Sequence, residues 1–225
     1  MHIIDISLPL ETGMTVYPKN PPFRSDRVAR IVPHDPDTWN TSRLELCTHT
    51  GTHVDAPRHF DDDAPGAENL PLELLCGPVR VADLRGIGMR IEAASLESLD
   101  LQNVERLLLR TDSESLVDRP FDPDYAHVTE EAARLLRRRG VRLVGIDSPS
   151  IEAFDSPGMP VHHVLLKQQP SIVVVEGLDL RNAAAGDYSL FCLPLKLVEG
   201  DGAPARAVLV RSESGWHGQA SRTSS

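Results

Sequence analysis

Residues 47–60 hold three histidines and an aspartate within eleven positions: His49, His53, Asp55 and His59. Imidazole nitrogens and carboxylate oxygens are the ligands that zinc and similar divalent cations accept. The first three side chains are separated by even numbers of residues, so an extended chain would direct them to one face. Their types and spacing therefore predict a metal site on this stretch.

The backbone between His49 and His53 has to bend if both are to reach one ion. In a straight strand their Cα atoms would lie about 13 Å apart, whereas metal–ligand bonds measure about 2.0–2.2 Å. A helix is disfavoured by the β-branched residues of this stretch and by Pro57. We therefore predict a bend at Gly51, because a residue without a Cβ can adopt the backbone angles that a bend requires.

A second group of candidate ligands lies far along the chain. Glu176 ends an otherwise apolar predicted strand, where a carboxylate is costly to bury unless it is paired or binds metal. His162 and His163 lie just before it on a short predicted helix, and consecutive helical residues point about 100° apart, so only one would face a site. With Asp55 as a bridge, one histidine and Glu176 could complete a two-metal centre. The alternatives are a salt bridge for Glu176 and a surface position for each histidine.

The composition indicates a globular protein with an acidic surface. The chain has 225 residues and a formal net charge of −10, which argues against binding to nucleic acid or to an anionic membrane. We expect one domain over residues 1–211 and a disordered tail over 212–225. No signal peptide and no apolar run of membrane-spanning length is evident, so we expect a cytoplasmic protein.

The three cysteines are widely separated and form no C-x-x-C pair, which fits a reducing compartment. Cys47 adjoins the histidines and could in principle be a catalytic nucleophile. A cysteine in a strand is more often a small buried apolar residue, and we favour that reading.

The sequence also predicts the elements that position these residues. A strand over 106–111, a helix after Thr129 and a strand over 141–147 form a βαβ unit, which implies parallel pairing. The helix has Thr129 as its N-cap and Gly140 after its end. Further strands are expected near the N-terminus and over 42–47, 79–84 and 171–176, with a C-terminal hairpin over 190–210. A weak helical pattern covers 91–105, and residues 14–17 form either a strand or a turn before a proline-rich loop.

The motif His49-x-Gly51-Thr52-His53-x-Asp55-x-Pro57-x-His59 resembles the fingerprint of the cyclase family of metal-dependent amide hydrolases, and within it the bacterial kynurenine formamidases. The likeness extends over residues 3–211. The other matching stretches are Asp5-Ile6-Ser7, Tyr17-Pro18, residues 140–150, His162-His163, Glu176-Gly177, residues 186–188, residues 193–196 and residues 203–209.

This resemblance implies two divalent cations per subunit, usually zinc, with manganese as an alternative. The implied metal ligands are, in chain order, His49, His53, Asp55, His162 and Glu176. Asp55 would bridge the two ions, and His59 would be the catalytic acid and base. His162, rather than His163, matches the family position.

The resemblance further implies an α/β fold of the swivelling β/β/α type, with a mixed β-sheet core and few helices. It implies a homodimer or homotetramer in which neighbouring chains can help to form the active site. Tyr17 stands where formamidases commonly have a tryptophan that lines the substrate pocket. Thr52 replaces a frequent alanine, and the segment between His162 and Glu176 is longer than expected.

The implied reaction is hydrolysis of N-formyl-L-kynurenine to L-kynurenine and formate, a step of tryptophan degradation. The change at Tyr17 leaves open a related hydrolase that acts on a cyclic amide, such as isatin, or on a lactone. A non-catalytic metal-binding protein is a third hypothesis. Structural zinc sites are closed by four protein ligands, commonly cysteines, and this ligand set has no cysteine.

Overall fold

The computed structural model describes residues 1–113 and 120–211, so the predicted disorder of 212–225 lies outside the described residues. The strands are β1 (His2–Asp5), β2 (Arg24–Ala29), β3 (Thr41–Glu45), β4 (His53–Asp55), β5 (Cys76–Asp83), β6 (Arg90–Ile91), β7 (Arg106–Arg110), β8 (His127–Val128), β9 (Leu143–Ile146), β10 (Val173–Glu176), β11 (Gly186–Pro194) and β12 (Gly202–Arg211). The α-helices are α1 (Leu72–Leu75), α2 (Ala93–Glu97), α3 (Glu130–Arg138) and α4 (Pro160–His162). Within these ranges no helix is long and apolar enough to cross a membrane.

Eight strands form one mixed sheet in the order β1-β12-β11-β5-β7-β9-β10-β4. The short strand β4 pairs with β10 on one side and with β12 on the other, so the sheet closes on itself. The prediction of a mixed β-sheet core with few helices is thus confirmed. Closure brings the motif strand β4 between two strands that lie more than a hundred residues further along the chain.

The predicted βαβ unit is present. β7 and β9 are parallel neighbours in the sheet, and α3 connects them. Thr129 caps the helix, because its Oγ1 accepts a hydrogen bond from the Ala132 amide at 3.3 Å. Gly140 follows the helix with a φ of +80°, the left-handed conformation in which helices commonly end.

The strands of this unit are buried on both faces, which explains their continuous apolar sequence. Leu107 and Leu109 of β7 pack in one apolar cluster with the buried face of α3. Leu108 points to the opposite face and packs in a second cluster with Val54 of β4 and Val175 of β10. The second cluster therefore supports the two strands that hold candidate metal ligands.

The N-terminal third differs most from the sequence prediction. Residues 14–17 form neither a strand nor a turn, but an irregular segment between turns at 12–13 and 18–19. Further along the chain, the helical pattern over 91–105 yields only α2. The strand β2 was not predicted, because its sequence RSDRVA lacks apolar alternation. It pairs with β3 in an exposed hairpin, and neither strand has a buried face that would have produced a pattern.

Asp147, just after β9, is a buried carboxyl that ties β9 to the end of β7. It accepts hydrogen bonds from the Thr111 amide at 2.8 Å and from the Thr111 hydroxyl at 2.6 Å. Burial outweighs these bonds and raises the pKa of Asp147 to about 7. An aspartate in the unfolded chain has a pKa of about 3.9. Between this pH and about 7, the folded protein therefore holds a proton on Asp147 that the unfolded chain does not.

This proton makes the Asp147 contribution to stability fall as pH rises from about 4 to 7. We expect the difference in unfolding free energy, wild type minus Asp147→Asn, to decrease by up to about 1.4 kcal/mol per pH unit in that interval. Urea unfolding of both proteins at several pH values measures it. A difference that stays constant with pH would contradict the raised pKa.

Candidate metal centre

The predicted bend at Gly51 is present and brings the first two histidines together. Gly51 has a φ of +64°, and the ring centroids of His49 and His53 lie 4.9 Å apart. A Cβ at Gly51 would lie 2.7 Å from the Leu10 side chain. The tight turn before β4 therefore favours glycine for its backbone angles, whereas the end of the Leu10 side chain could move aside.

The neighbouring strand β10 delivers Glu176 to the same place. Glu176 lies opposite His53 in the antiparallel pairing of β10 with β4. The next residue, Gly177, also has a φ of +64°, and a Cβ there would lie 2.6 Å from the Gly51 carbonyl oxygen. Two glycine turns thus pack directly against each other beneath the candidate ligands.

Asp55 and Glu176 lie between His49, His53 and His162, and the two oxygens of each carboxylate face different histidines. Asp55 Oδ1 is 2.8 Å from His49 Nδ1 and 3.4 Å from His53 Nε2, and its Oδ2 is 3.7 Å from His162 Nε2. Glu176 Oε2 is 3.4 Å from His53 Nε2, and its Oε1 is 3.3 Å from His162 Nε2. Each carboxylate therefore faces two groups of nitrogens, as a bridging ligand between two ions would.

Several atoms at this centre lack ordinary hydrogen-bond partners. Among the described residues, His53 Nε2 and both carboxylate oxygens of Asp55 are buried without a hydrogen bond of acceptable geometry. Buried polar atoms are costly unless they are satisfied. The ligand atoms of His53, Asp55 and Glu176 also lie within 4.8 Å of one another. The donor set and its unsatisfied atoms therefore fit divalent cations.

Each of the three histidines hydrogen-bonds a protein oxygen through the nitrogen that faces away from the centre. His53 Nδ1 donates to the Gly51 carbonyl at 2.9 Å, and His162 Nδ1 donates to Glu152 at 3.2 Å. His49 Nε2 lies 3.1 Å from Asp201 Oδ2. Histidines that bind metals typically have such a partner, which fixes the tautomer and the ring orientation.

The mutual charges also shift the protonation of the centre. Burial opposes protonation of His49 and His53, but their carboxylate neighbours outweigh it and raise the pKa to about 10 for His49 and about 9 for His53. Burial would raise the pKa of Asp55, but the three histidines hold it well below its usual range. Cations that bind here must displace the histidine protons, so metal binding should release protons.

Of the two adjacent histidines, the structure buries one and exposes the other. His162, on α4, is in the centre with a side chain that is 2% exposed, while His163 is exposed. The Glu152 carboxylate accepts hydrogen bonds from the backbone amide of His162 at 3.1 Å and from the His162 ring at 3.2 Å. Sequence reasoning passed over Glu152, which lies in an irregular loop and has no spacing that links it to His162.

His59 lies on a single helical turn just after β4, at the exposed side of the centre. Its side chain is 29% exposed, and its ring centroid is 4.1 Å from that of His49. Burial, reinforced by the charge of His49, lowers the pKa of His59 below its usual value. Ligand atoms of His49, Asp55 and His59 also lie within 4.8 Å of one another. This position allows proton transfer to a bound molecule, and it is also close enough for metal binding.

Tyr17 belongs to a group of aromatic side chains, although aromatic residues make up only 4% of the sequence. Its ring contacts Phe121 and Phe154, with centroids 5.4 and 5.8 Å away. Its hydroxyl lies 3.5 Å from that of Tyr125. Sequence reasoning found only Tyr17, because the other three rings come from loops that are distant in sequence.

Comparisons with known proteins identify the family of this chain. The Cyclase family model matches residues 4–153. Kynurenine formamidase of Bacillus cereus is 37% identical over 206 residues, which cover 92% of this chain and 96% of that protein. A solved structure described as a potential metal-dependent hydrolase with cyclase activity is 33% identical, with a TM-score of 0.81, and the match covers 94% of this chain and 98% of that one.

A more distant structural match is isatin hydrolase A from Labrenzia aggregata, solved with benzyl benzoate. It is 22% identical, with a TM-score of 0.77, and the match covers 94% of each chain. At this level of identity the likeness concerns the fold alone.

Proposed function

The chain belongs to the Cyclase family, and on that basis we propose that it is a metal-dependent hydrolase that converts N-formyl-L-kynurenine to L-kynurenine and formate. The observation that carries the proposal is the meeting of His49, His53, His162 and Glu176 around Asp55. Identity to Bacillus cereus kynurenine formamidase over nearly the whole chain supports the linear formamide as substrate.

We assign the ligands of two divalent cations, zinc or alternatively manganese, to this centre. His49, His53 and Asp55 would hold the first ion. His162 and Glu176 would hold the second, with Asp55 shared and Glu176 close to both. When bound, such ions lower the pKa of water and polarise a carbonyl group. Because one ring nitrogen of each of the three histidines already has a protein partner, the other nitrogen of each would bind an ion.

In this proposal His59 moves the proton. It would take the proton that water loses on attacking the formyl carbon, and it would give a proton to the aniline nitrogen as the carbon–nitrogen bond breaks. The products are then formic acid and the free aniline, and formic acid loses its proton to solvent as formate, so atoms and charges balance. The site supports this role because His59 lies at the exposed side of the centre, against His49 and beside Phe60, whose ring is 4.6 Å from its own.

The aromatic group around Tyr17 would receive the aryl ring of the substrate. We expect Tyr17→Ala to raise KM several-fold with little change in metal content, because an aromatic contact is worth about 0.5–1.5 kcal/mol beyond its buried area. Steady-state kinetics and metal analysis of the same preparation measure both quantities. Tyr17→Phe, which keeps the ring, is the control, and an unchanged KM in Tyr17→Ala would remove Tyr17 from the pocket.

The competing function within the family is hydrolysis of a cyclic amide or a lactone. The isatin hydrolase structure favours it only through the fold. Parallel measurement of kcat/KM on N-formyl-L-kynurenine and on isatin, with one preparation, separates the two. We expect a kcat/KM at least about 10²-fold higher on the formamide. A preference for isatin would replace the proposed substrate and leave the metal centre in place.

We further propose that the protein acts in the cytoplasm as a homodimer or homotetramer. The three free cysteines agree with a reducing compartment. The hairpin of β2 and β3 supports assembly, because an isolated two-stranded hairpin is only marginally stable in water. This hairpin exposes the large apolar side chains of Val28, Trp39 and Leu44, which a neighbouring chain would cover.

A further inference from the structure

Asp201 approaches the metal centre from a part of the chain that the sequence motif does not include. It ends the turn between β11 and β12. Its Oδ2 lies 3.1 Å from His49 Nε2 and 3.7 Å from His59 Nδ1. One carboxylate oxygen therefore faces the histidine that would hold the first metal and the histidine that would move the proton.

The contact is on the side of the His49 ring that points away from Asp55. His49 Nδ1 faces Asp55 at 2.8 Å, and His49 Nε2 faces Asp201 at 3.1 Å. An imidazole that binds metal through one nitrogen carries its proton on the other. A carboxylate acceptor at that second nitrogen fixes both the tautomer and the ring plane.

The backbone, rather than the Asp201 side chain, holds this turn in place. The Asp201 carbonyl accepts a hydrogen bond from the Ala56 amide at 3.0 Å, and the Gly200 carbonyl accepts one from the Ala67 amide at 2.8 Å. A Cβ at Gly202 would lie 2.7 Å from His49 Cε1, so the glycine leaves room for the ring. Removing the Asp201 carboxylate should therefore leave the turn folded against the motif.

We propose that Asp201 is a positioning residue that orients His49 towards the first metal and holds His59 beside it. The inference rests on the proposed two-metal centre and adds a residue to it. His162, which would bind the second metal, is oriented by a different residue, because its Nδ1 donates a hydrogen bond to the buried Glu152. Asp201 should therefore control the affinity of one ion and leave the other unaffected.

The test is titration calorimetry of zinc into the full-length, chelator-stripped protein, for wild type, Asp201→Ala, Asp201→Asn and Glu199→Gln. We expect wild type to bind two ions and Asp201→Ala to weaken one of them by about 10–100-fold. Asp201→Asn should fall between these two, because its amide oxygen still accepts a hydrogen bond. Glu199→Gln removes a charge from an exposed residue of the same turn and should match wild type.

Turnover at saturating zinc gives a second readout, on His59. We expect Asp201→Ala to lower kcat while KM stays unchanged, and Glu199→Gln to change neither. Equal zinc affinities in Asp201→Ala and wild type would overturn the inference. Loss of both ions from Asp201→Ala would also overturn it, and so would a loss of zinc affinity in Glu199→Gln as large as that in Asp201→Ala. Failure of wild type to bind zinc would instead refute the proposed metal centre.

Discussion

Asp55→Asn is expected to cost the protein both metal ions and nearly all of its activity. Asp55 directs one oxygen at His49 and His53 and the other at His162, so a neutral amide would weaken both positions at once. Loss of a partner outside the ligand set typically costs about 10–100-fold in metal affinity or activity. For a shared ligand we expect kcat/KM to fall by more than about 10³-fold.

Metal analysis after dialysis, together with kcat/KM on N-formyl-L-kynurenine, measures this prediction. Asp62→Asn is the matched control, because it makes the same change at an exposed position in the loop after the motif. Far-ultraviolet circular dichroism shows whether Asp55→Asn is folded. If the variant is misfolded, His53→Gln gives a second measurement on the same group of ligands. A folded Asp55→Asn protein that retains two ions would refute Asp55 as the shared ligand.

His59→Ala is expected to separate catalysis from metal binding. Because His59 lies at the exposed side of the centre rather than between Asp55 and Glu176, the ions should remain. Loss of a general acid and base typically lowers turnover by about 10²–10⁴-fold, and we expect kcat to fall within this range with two ions still bound. Metal content and kcat of the same sample give the two readouts.

The matched control for this variant is His163→Ala, which removes an exposed histidine whose ring centroid lies 5.2 Å from that of Phe60. It should retain both metal content and kcat. Loss of an ion from His59→Ala would make His59 a ligand, which its distance from His49 and Asp55 also permits. Full activity in His59→Ala would remove it from the mechanism.

The sequence was informative about the centre where the candidate ligands are close together or lie on predictable elements. Residues 49–59 contain three histidines, an aspartate and the glycine that the bend requires, so residue types and spacing alone predicted a local metal site. Glu176 was marked by its place at the end of an apolar strand. Spacing could not join the two halves, because the closure of the sheet that brings β10 beside β4 is a long-range property.

Asp201 and Glu152 show what such reasoning misses. Each lies in an irregular segment and contacts a histidine through tertiary structure, Asp201 across 152 residues of sequence. Acidic residues in turns are usually solvated, so neither had a distinguishing pattern. The fold was likewise predicted only where the sequence has a pattern. The βαβ unit around α3 has strong periodicity and was predicted, whereas the polar hairpin strand β2 was not.

The most direct test of the account is release of kynurenine from N-formyl-L-kynurenine by the purified protein. It should be measured as isolated, after removal of metal with a chelator, and after reloading with zinc or manganese. We predict turnover that disappears on stripping, with the protein still folded, and returns on reloading. Undiminished turnover by fully stripped protein would contradict metal-dependent hydrolysis, and absence of turnover in every metal-loaded state would contradict the proposed substrate.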